Sequence, residues 1–490
     1  MLIKKDPDTI EPYLIDASNH RGRADEILIP ESIDELREAI RQCYDNDKPM
    51  TISAAGTGLA GGRVPEGGAV ISVEKLDYIE KPDRPSQSIK SDAGAVVADI
   101  IDASGDAGLL YPPDPTETSS MIGGNAATNA SGAKTFKYGP TRKYINAAKI
   151  ILPDGDLVHL KRGERRANGN LLEFTTESGR EYSIDLPEIK MPHIKHAAGY
   201  YIAPEMDALD LFIGSEGTLG VFAELELALV EAPEEVLGGI AFFESYDNLF
   251  AFVDELRRIS IENNLINYKE CKGIAARLIE LYDQSALRLV GDKYPQLPAG
   301  AMAAIWFEQE YIKPNEDAIL GAWVDMIGRF TPLAELTWVA MSQSEHAEFR
   351  EFRHAIPSTA NEINSRKNQR KIGTDIAVPD KYIYDLYKFI QNKISGSGLD
   401  FAIWGHIGNS HIHANVFAGQ DELSRGYEFY DQCIAKALDF GGTVSAEHGI
   451  GKIKKKYLRQ MFGERGIREM RDIKKIIDPK NLLGRGNLFD

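Results

Sequence analysis

The sequence predicts an α+β protein with more than one domain, and three observations carry that prediction. At 490 residues the chain is too long for one ordinary hydrophobic core. From about Ile29 to Ala232, short β-rich runs alternate with amphipathic helical patterns and are punctuated by glycine-rich turns. From about Glu234 to Phe401 the texture changes to longer amphipathic helices separated by strands. The expected division is a first domain over residues 1–232, a second over 233–444, and a C-terminal helical segment over 445–490.

In the first stretch, SIDELREAIRQCYDN begins at Ser32, a helix cap with Glu35 three residues on. AVISVEKL and AAKIILPDGDLVHL read as strands. In the second, NLFAFVDELRRISIENN and KYIYDLYKFIQNKISGSG read as helices, and AMAAIWFEQEY as a strand. The last forty or so residues are rich in Lys and Arg. A basic helix there is first of all a solvated face; its other reading is contact with an anionic membrane surface or partner.

Composition narrows the function. The hydrophobic (43%) and charged (27%) fractions are those of a folded globular protein. A net charge of -18 argues against a general nucleic-acid binder, whose affinity comes from clustered Lys and Arg. Cys43, Cys271 and Cys433 are far apart and form no CxxC, which excludes a disulfide scaffold, a cysteine-ligated zinc site and an iron–sulfur cluster on this chain. The first residues hold no apolar core of signal-peptide length and no later stretch approaches a membrane span, so a cytosolic location is expected.

Three glycine-rich pieces carry the first chemical signal: TISAAGTGLAGGRVPEGG (Thr51 to Gly68), MIGGNAATNASGAKTFKYG (Met121 to Gly139) and DLFIGSEGTLGVFAEL (Asp210 to Leu225). Glycine accepts the dihedrals that turn successive amides toward an anion, and small side chains let a flat polar ligand approach the backbone. None is the GxGxxG dinucleotide fingerprint or a GK[ST] P-loop.

In this order the pieces resemble the flavin-linked oxidoreductases of the vanillyl-alcohol oxidase and p-cresol methylhydroxylase type, whose FAD lies in an α+β domain split into two small sheets. The resemblance implies that Gly56, Thr57, Gly58, Gly61 and Gly62 wrap the pyrophosphate. It places Pro113, Ser119, Gly123, Gly124, Asn129 and Gly132 along the isoalloxazine and ribityl chain, and Glu216, Gly217 and Gly220 near the flavin and adenosine portions. Where relatives often carry an arginine before the first glycines, this chain has Ala54 and Ala55, so part of the phosphate charge must be met elsewhere. With no histidine in these loops, the implied FAD is non-covalent.

Four of the ten histidines fall in GHIGNSHIH (Gly405 to His413) and SAEHGIG (Ser445 to Gly451). Imidazoles and a carboxylate suit divalent Zn, Mn or Fe, and strand-like HIHANV puts His411 and His413 on one face. Both motifs resemble the D-2-hydroxyacid dehydrogenase branch of that family, which includes D-lactate, glycolate and D-2-hydroxyglutarate dehydrogenases. The resemblance implies that His406, His413 and Glu447 bind the metal, that His448 is the general base, that Asn415 contacts the substrate and that residues 445–490 return to the first domain and complete its site. His411 stands where relatives commonly have asparagine, a position that tunes substrate choice or adds a ligand.

A substrate carboxylate calls for an arginine fork, and Arg353 in EFREFRHAIP corresponds best to the family's clamp, with Arg350 one turn away. Two departures stand out. Gly373 occupies the place of a family lysine, with Lys371 nearby, and Gly484-Arg485 replaces the usual Asn-Pro of the tail.

The reaction so implied is oxidation of a D-2-hydroxyacid to the 2-oxo acid, with proton abstraction by His448, metal assistance and hydride transfer to the flavin. Electrons then pass to a separate protein or quinone. Membrane-peripheral contact and a homodimer stay open. Three alternatives remain: a flavoprotein subunit of a multi-subunit glycolate or lactate oxidase complex, an alkylglycerone-phosphate-synthase-like enzyme without net oxidation, and a flavin-free metal-binding module.

Overall fold

The computed structural model describes all residues, Met1–Asp490, and separates into two compact units. The first comprises residues 1–132, 139–232 and 445–490; the second comprises 133–138 and 233–444. The six residues 133–138 thus belong with the second unit, whereas the sequence reading kept them in the first. Local pairing is the reason: Lys137 and the Tyr138 hydroxyl both bond to the Glu310 carboxylate, and the Phe136 ring lies against Gly408.

The first unit holds two small four-stranded sheets. One runs in the order Leu2–Lys4, Glu26–Ile29, Ala69–Ser72, Met50–Ser53, and its last three strands are parallel. The helix Ile33–Asp45 is the crossover between two of them, started by the Ser32 hydroxyl, which accepts the Glu35 N–H. Its apolar face, Leu36, Ala39, Ile40 and Cys43, packs against Ala69, Ile71, Leu482 and Leu483. The second sheet is antiparallel, in the order Ser88–Asp92, Val221–Ala228, Ile145–Ile151, Leu157–Lys161. AAKIILPDGDLVHL is accordingly a hairpin, with Gly155 at φ +82 in its turn.

The C-terminal segment is structural as well as chemical. Its helix Lys455–Ile477 kinks at Gly463, and buried Lys474 donates to Thr218 O, Leu483 O and Asp478 Oδ2. Met50 and Leu482–Gly484 then exchange backbone bonds of 2.8 and 2.9 Å, fastening the tail to the first sheet. Gly484, one departure from the family pattern, sits at φ +61, and the Gly217 carbonyl occupies the place where a side chain would begin.

The second unit is built on an antiparallel sheet in the order Trp338–Ala340, Glu235–Phe243, Ala303–Tyr311, Ala276–Asp283, Asp400–Gly405, His411–Ala418, Arg370–Gly373, and the short strand Ile376–Ala377 also pairs with His411–Ala418. The helix Gln343–Lys367, opened by a Ser342–Glu345 capping box, lays Phe349, Phe352 and Ile356 on one face of this sheet against Ile240, Leu278, Tyr282 and Trp306. No helix of the chain is long and apolar enough to cross a membrane.

Candidate functional site

In the first unit the three glycine-rich loops converge on one cleft with about 950 Å³ of empty space, part of it open to solvent. Its lining includes Gly56, Thr57, Gly58 and Gly62 from the first loop, Gly123 and Gly124 from the second, and Glu216, Gly217 and Gly220 from the third. His448 lines it too. The other residues assigned to the cofactor are not among those that line the cleft. Gly61 packs against His20 and Ile453, and Ser119 bonds Glu117 on the surface. Asn129 takes a left-handed cap at φ 49 and accepts the Arg142 N–H, while Gly132 is pressed on the Asp114 carbonyl. Pro113, too, is absent from the lining, beside which stands Ser120 rather than Ser119.

The cleft fits the expected FAD on its own chemistry. Asp16 Oδ2, Ser120 Oγ and Asn125 Nδ2 are buried in its wall without hydrogen-bond partners, a costly arrangement that a polar ligand satisfies. The positive charge missing before the glycines comes from after them, at Arg63, the one Lys or Arg of the lining. Its guanidinium lies under Gly56, where any side chain would collide with it, and donates to Pro12 O, Ile15 O, Ser53 Oγ and Ala54 O. No carboxylate forms an ion pair with it, and burial lowers its pKa.

Glu216 has a second task. Held at φ +55, it accepts the N–H groups of Ile450 and Gly451 at 2.7 and 2.6 Å, which fixes the loop carrying His448. Burial pushes its carboxyl up to about 7, against these two donors and the Lys454 and Lys452 charges. In the same loop Glu447 is ion-paired to Lys195 at 2.6 Å and lies 3.7 Å from His448 Nε2, with the Ser131 hydroxyl 3.5 Å away.

In the second unit His406, His411 and His413 are buried and their ring nitrogens lie within 4.8 Å of one another. Gly405 allows this, because the His411 carbonyl crosses where its side chain would start, and Ser410 at φ 53 closes the turn. Arg257 braces the turn by donating to Gly408 O at 2.8 Å and pairing with Asp380 at 2.6 Å. Two imidazoles have an oriented partner: His406 Nδ1 is 2.6 Å from Glu280 Oε1 and His413 Nδ1 is 3.1 Å from Thr374 O, while Asp375 Oδ1 lies 3.1 Å from His411 Nε2. Neutral imidazoles held by one nitrogen present the other as a ligand, so His406 and His413 fit a divalent ion through Nε2.

On the same sheet face Arg353 is 14% exposed, with its guanidinium over the Trp306 ring at 5.9 Å, whereas Arg350 points to solvent. The Asn415 amide donates to His413 O at 3.1 Å and passes over Gly373. A side chain at 373 would meet the Asn415 oxygen, which would have to turn away. Lys371 lies exposed two residues away on the edge strand.

The sequence reading missed Glu280, Arg63, Lys195 and Asp16. Only Glu280 left a signal, a carboxylate in the middle of the strand-like run ARLIELYD, which ends in a second one, Asp283.

Comparison with known proteins agrees with this architecture. Residues 24–161 match a family model described as an FAD binding domain, and residues 264–488 match the C-terminal domain of FAD linked oxidases. The glycolate oxidase subunit GlcD of Bacillus subtilis (strain 168) is 28% identical over 97% of this chain and 92% of its own length. A D-lactate dehydrogenase of Anaerostipes hadrus is 27% identical over 96% and 90%. A D-2-hydroxyglutarate dehydrogenase of Xanthomonas citri pv. viticola is 26% identical over 95% and 89%. Among solved structures, an alkyldihydroxyacetonephosphate synthase superposes with a TM-score of 0.66 at 15% identity, covering 98% of this chain and 81% of that one, a likeness of fold.

Proposed function

The chain belongs to the FAD-linked oxidases, and from that premise we propose that it oxidises a D-2-hydroxyacid of the lactate, glycolate or 2-hydroxyglutarate type to the 2-oxo acid. The observation that carries this reading is His448 in the wall of the glycine-loop cleft, an imidazole of the kind that serves as a general base, beside the place of the redox group. Bound in that cleft, non-covalent FAD supplies a two-electron acceptor. A Zn, Mn or Fe ion held by His406 and His413, with Glu447 as the third ligand of the set inferred from sequence, would lower the pKa of a coordinated hydroxyl.

The chain's own groups divide the remaining work. Arg353 takes the substrate carboxylate in its planar fork, and Asn415 and His411 contact the rest of the acid. His448 removes the 2-hydroxyl proton, and its loop is held by Glu216 through the Ile450 and Gly451 amides. The amides of the first loop and the charge of Arg63 hold the pyrophosphate. With no cluster-forming cysteines, electrons leave to a separate protein or quinone.

The test is the visible spectrum of the purified protein under anaerobic conditions, before and after D-lactate, L-lactate, glycolate or D-2-hydroxyglutarate. A flavin band bleached by a D-hydroxyacid and slowly restored by air is expected. A yellow protein that none of them bleaches would remove the substrate assignment, and a colourless one that FAD cannot reconstitute would remove the cofactor.

A further inference from the structure

We infer that Glu280 is a positioning residue that ties the metal-binding imidazole of His406 to the carboxylate clamp Arg353; this rests on the hydroxyacid reading above. Glu280 sits mid-strand in Ala276–Asp283, a strand buried along its whole length, and is itself 3% exposed. A carboxylate there is tolerated only with partners. On the neighbouring strand, Glu308 is matched to Arg277 and Glu310 to Lys137, side chains with no part in the proposed chemistry. Glu280 instead spends its two oxygens on two functional side chains: Oε1 is 2.6 Å from His406 Nδ1 and Oε2 is 3.6 Å from Arg353 Nε.

The two contacts do different work. A carboxylate that accepts the Nδ1–H of His406 leaves the lone pair on Nε2, the tautomer a metal needs. On Arg353 it holds the Nε edge, so that the terminal nitrogens form the fork for a substrate carboxylate. Trp306, the cross-strand partner of Glu280, puts an aromatic face under the same guanidinium. One carboxylate therefore holds the His406 ring and the Arg353 guanidinium relative to each other.

Glu280→Gln removes the negative charge that serves both contacts. The amide oxygen can still accept from His406, but the amide N–H₂ then faces Arg353 donor against donor. The measurements are the zinc dissociation constant of the metal-stripped, FAD-loaded protein by competition with a chromophoric chelator, and KM and kcat at saturating metal. Zinc binding should weaken by about 10- to 100-fold, and KM for the D-hydroxyacid should rise about tenfold, more than kcat falls. A merely structural role would lower the melting temperature and move neither ratio.

Glu280→Asp is the second variant, because it keeps the buried charge and so the fold, yet withdraws the carboxylate from His406 by one methylene; zinc must weaken here too. If either folded variant binds zinc and substrate as the wild type does, the inference is wrong. A wild-type chain that binds no divalent ion overturns the parent reading along with it, and that failure is distinguishable because it precedes any substitution.

Discussion

His448 is the residue on which the proposed chemistry turns. Its replacement by alanine should leave FAD and metal bound but slow substrate-driven flavin reduction by at least about a hundredfold, measured by anaerobic stopped-flow; unaltered reduction would exclude it as the base. Glu216 offers a pH test with a definite sign. Its folded-state carboxyl, at about 7, stands above the ordinary 4.5. The folded state therefore holds the proton more tightly than the unfolded state. The stability so contributed is complete below pH 4.5 and is lost as pH rises through 7. Relative to Glu216→Gln, the wild type should lose about 2 kcal/mol between pH 5 and pH 8, read from urea melts of both proteins. Parallel pH profiles would show that burial does not perturb this carboxyl. These residues differ in legibility. His448 was found in a motif, whereas the bonds of Glu216 to Ile450 and Gly451 join positions more than two hundred residues apart and left no local trace.

Among the elements, the first glycine loop shows how a missing residue is replaced from another direction. Arg63 gathers the carbonyls of Pro12, Ile15 and Ala54 and thereby ties the N-terminal segment to the loop. Gly56, at φ +81 against that guanidinium, admits no side chain. Arg63→Met should raise the FAD dissociation constant by at least about tenfold, since both a charge and several hydrogen bonds to carbonyls are lost. Gly56→Ala should do the same by displacing the guanidinium and straining a left-handed backbone. Flavin fluorescence on titration of the apoprotein measures both, and wild-type affinity in both variants would make the loop's cradle incidental. The absence of an arginine at Ala54 and Ala55 was legible in the sequence. Its replacement nine residues on was not, because the side chain's direction depends on how the loop closes. The helices starting at Ser32 and near Asn248 were foreseen from periodicity and caps.

At the scale of the molecule, the first unit is discontinuous in sequence, and its last piece carries load. Leu482 and Leu483 complete the core made by Leu36, Ile40 and Ile71, and Lys474 satisfies carbonyls of Thr218 and Leu483. Removal of residues 445–490 should therefore abolish FAD retention as well as activity, visible as a colourless product with a lowered melting temperature. A truncated chain that keeps one FAD would contradict this role.

By itself the sequence determined the α+β class, the three glycine loops and the histidine motifs, while the return of the C-terminal segment to the first domain came only with the family resemblance. The former depend on local chemistry: glycine dihedrals, helical and strand periodicity, and clustered ligand types within a few residues. Only the tertiary structure decided that residues 133–138 pack with the second unit, that Arg63 supplies the charge of the first loop, that Asn415 occupies the space above Gly373, and that Glu280 serves both His406 and Arg353. Each of these is a pairing of groups distant in the chain, set by which strands adjoin and which faces are buried, and no local pattern of residues encodes it.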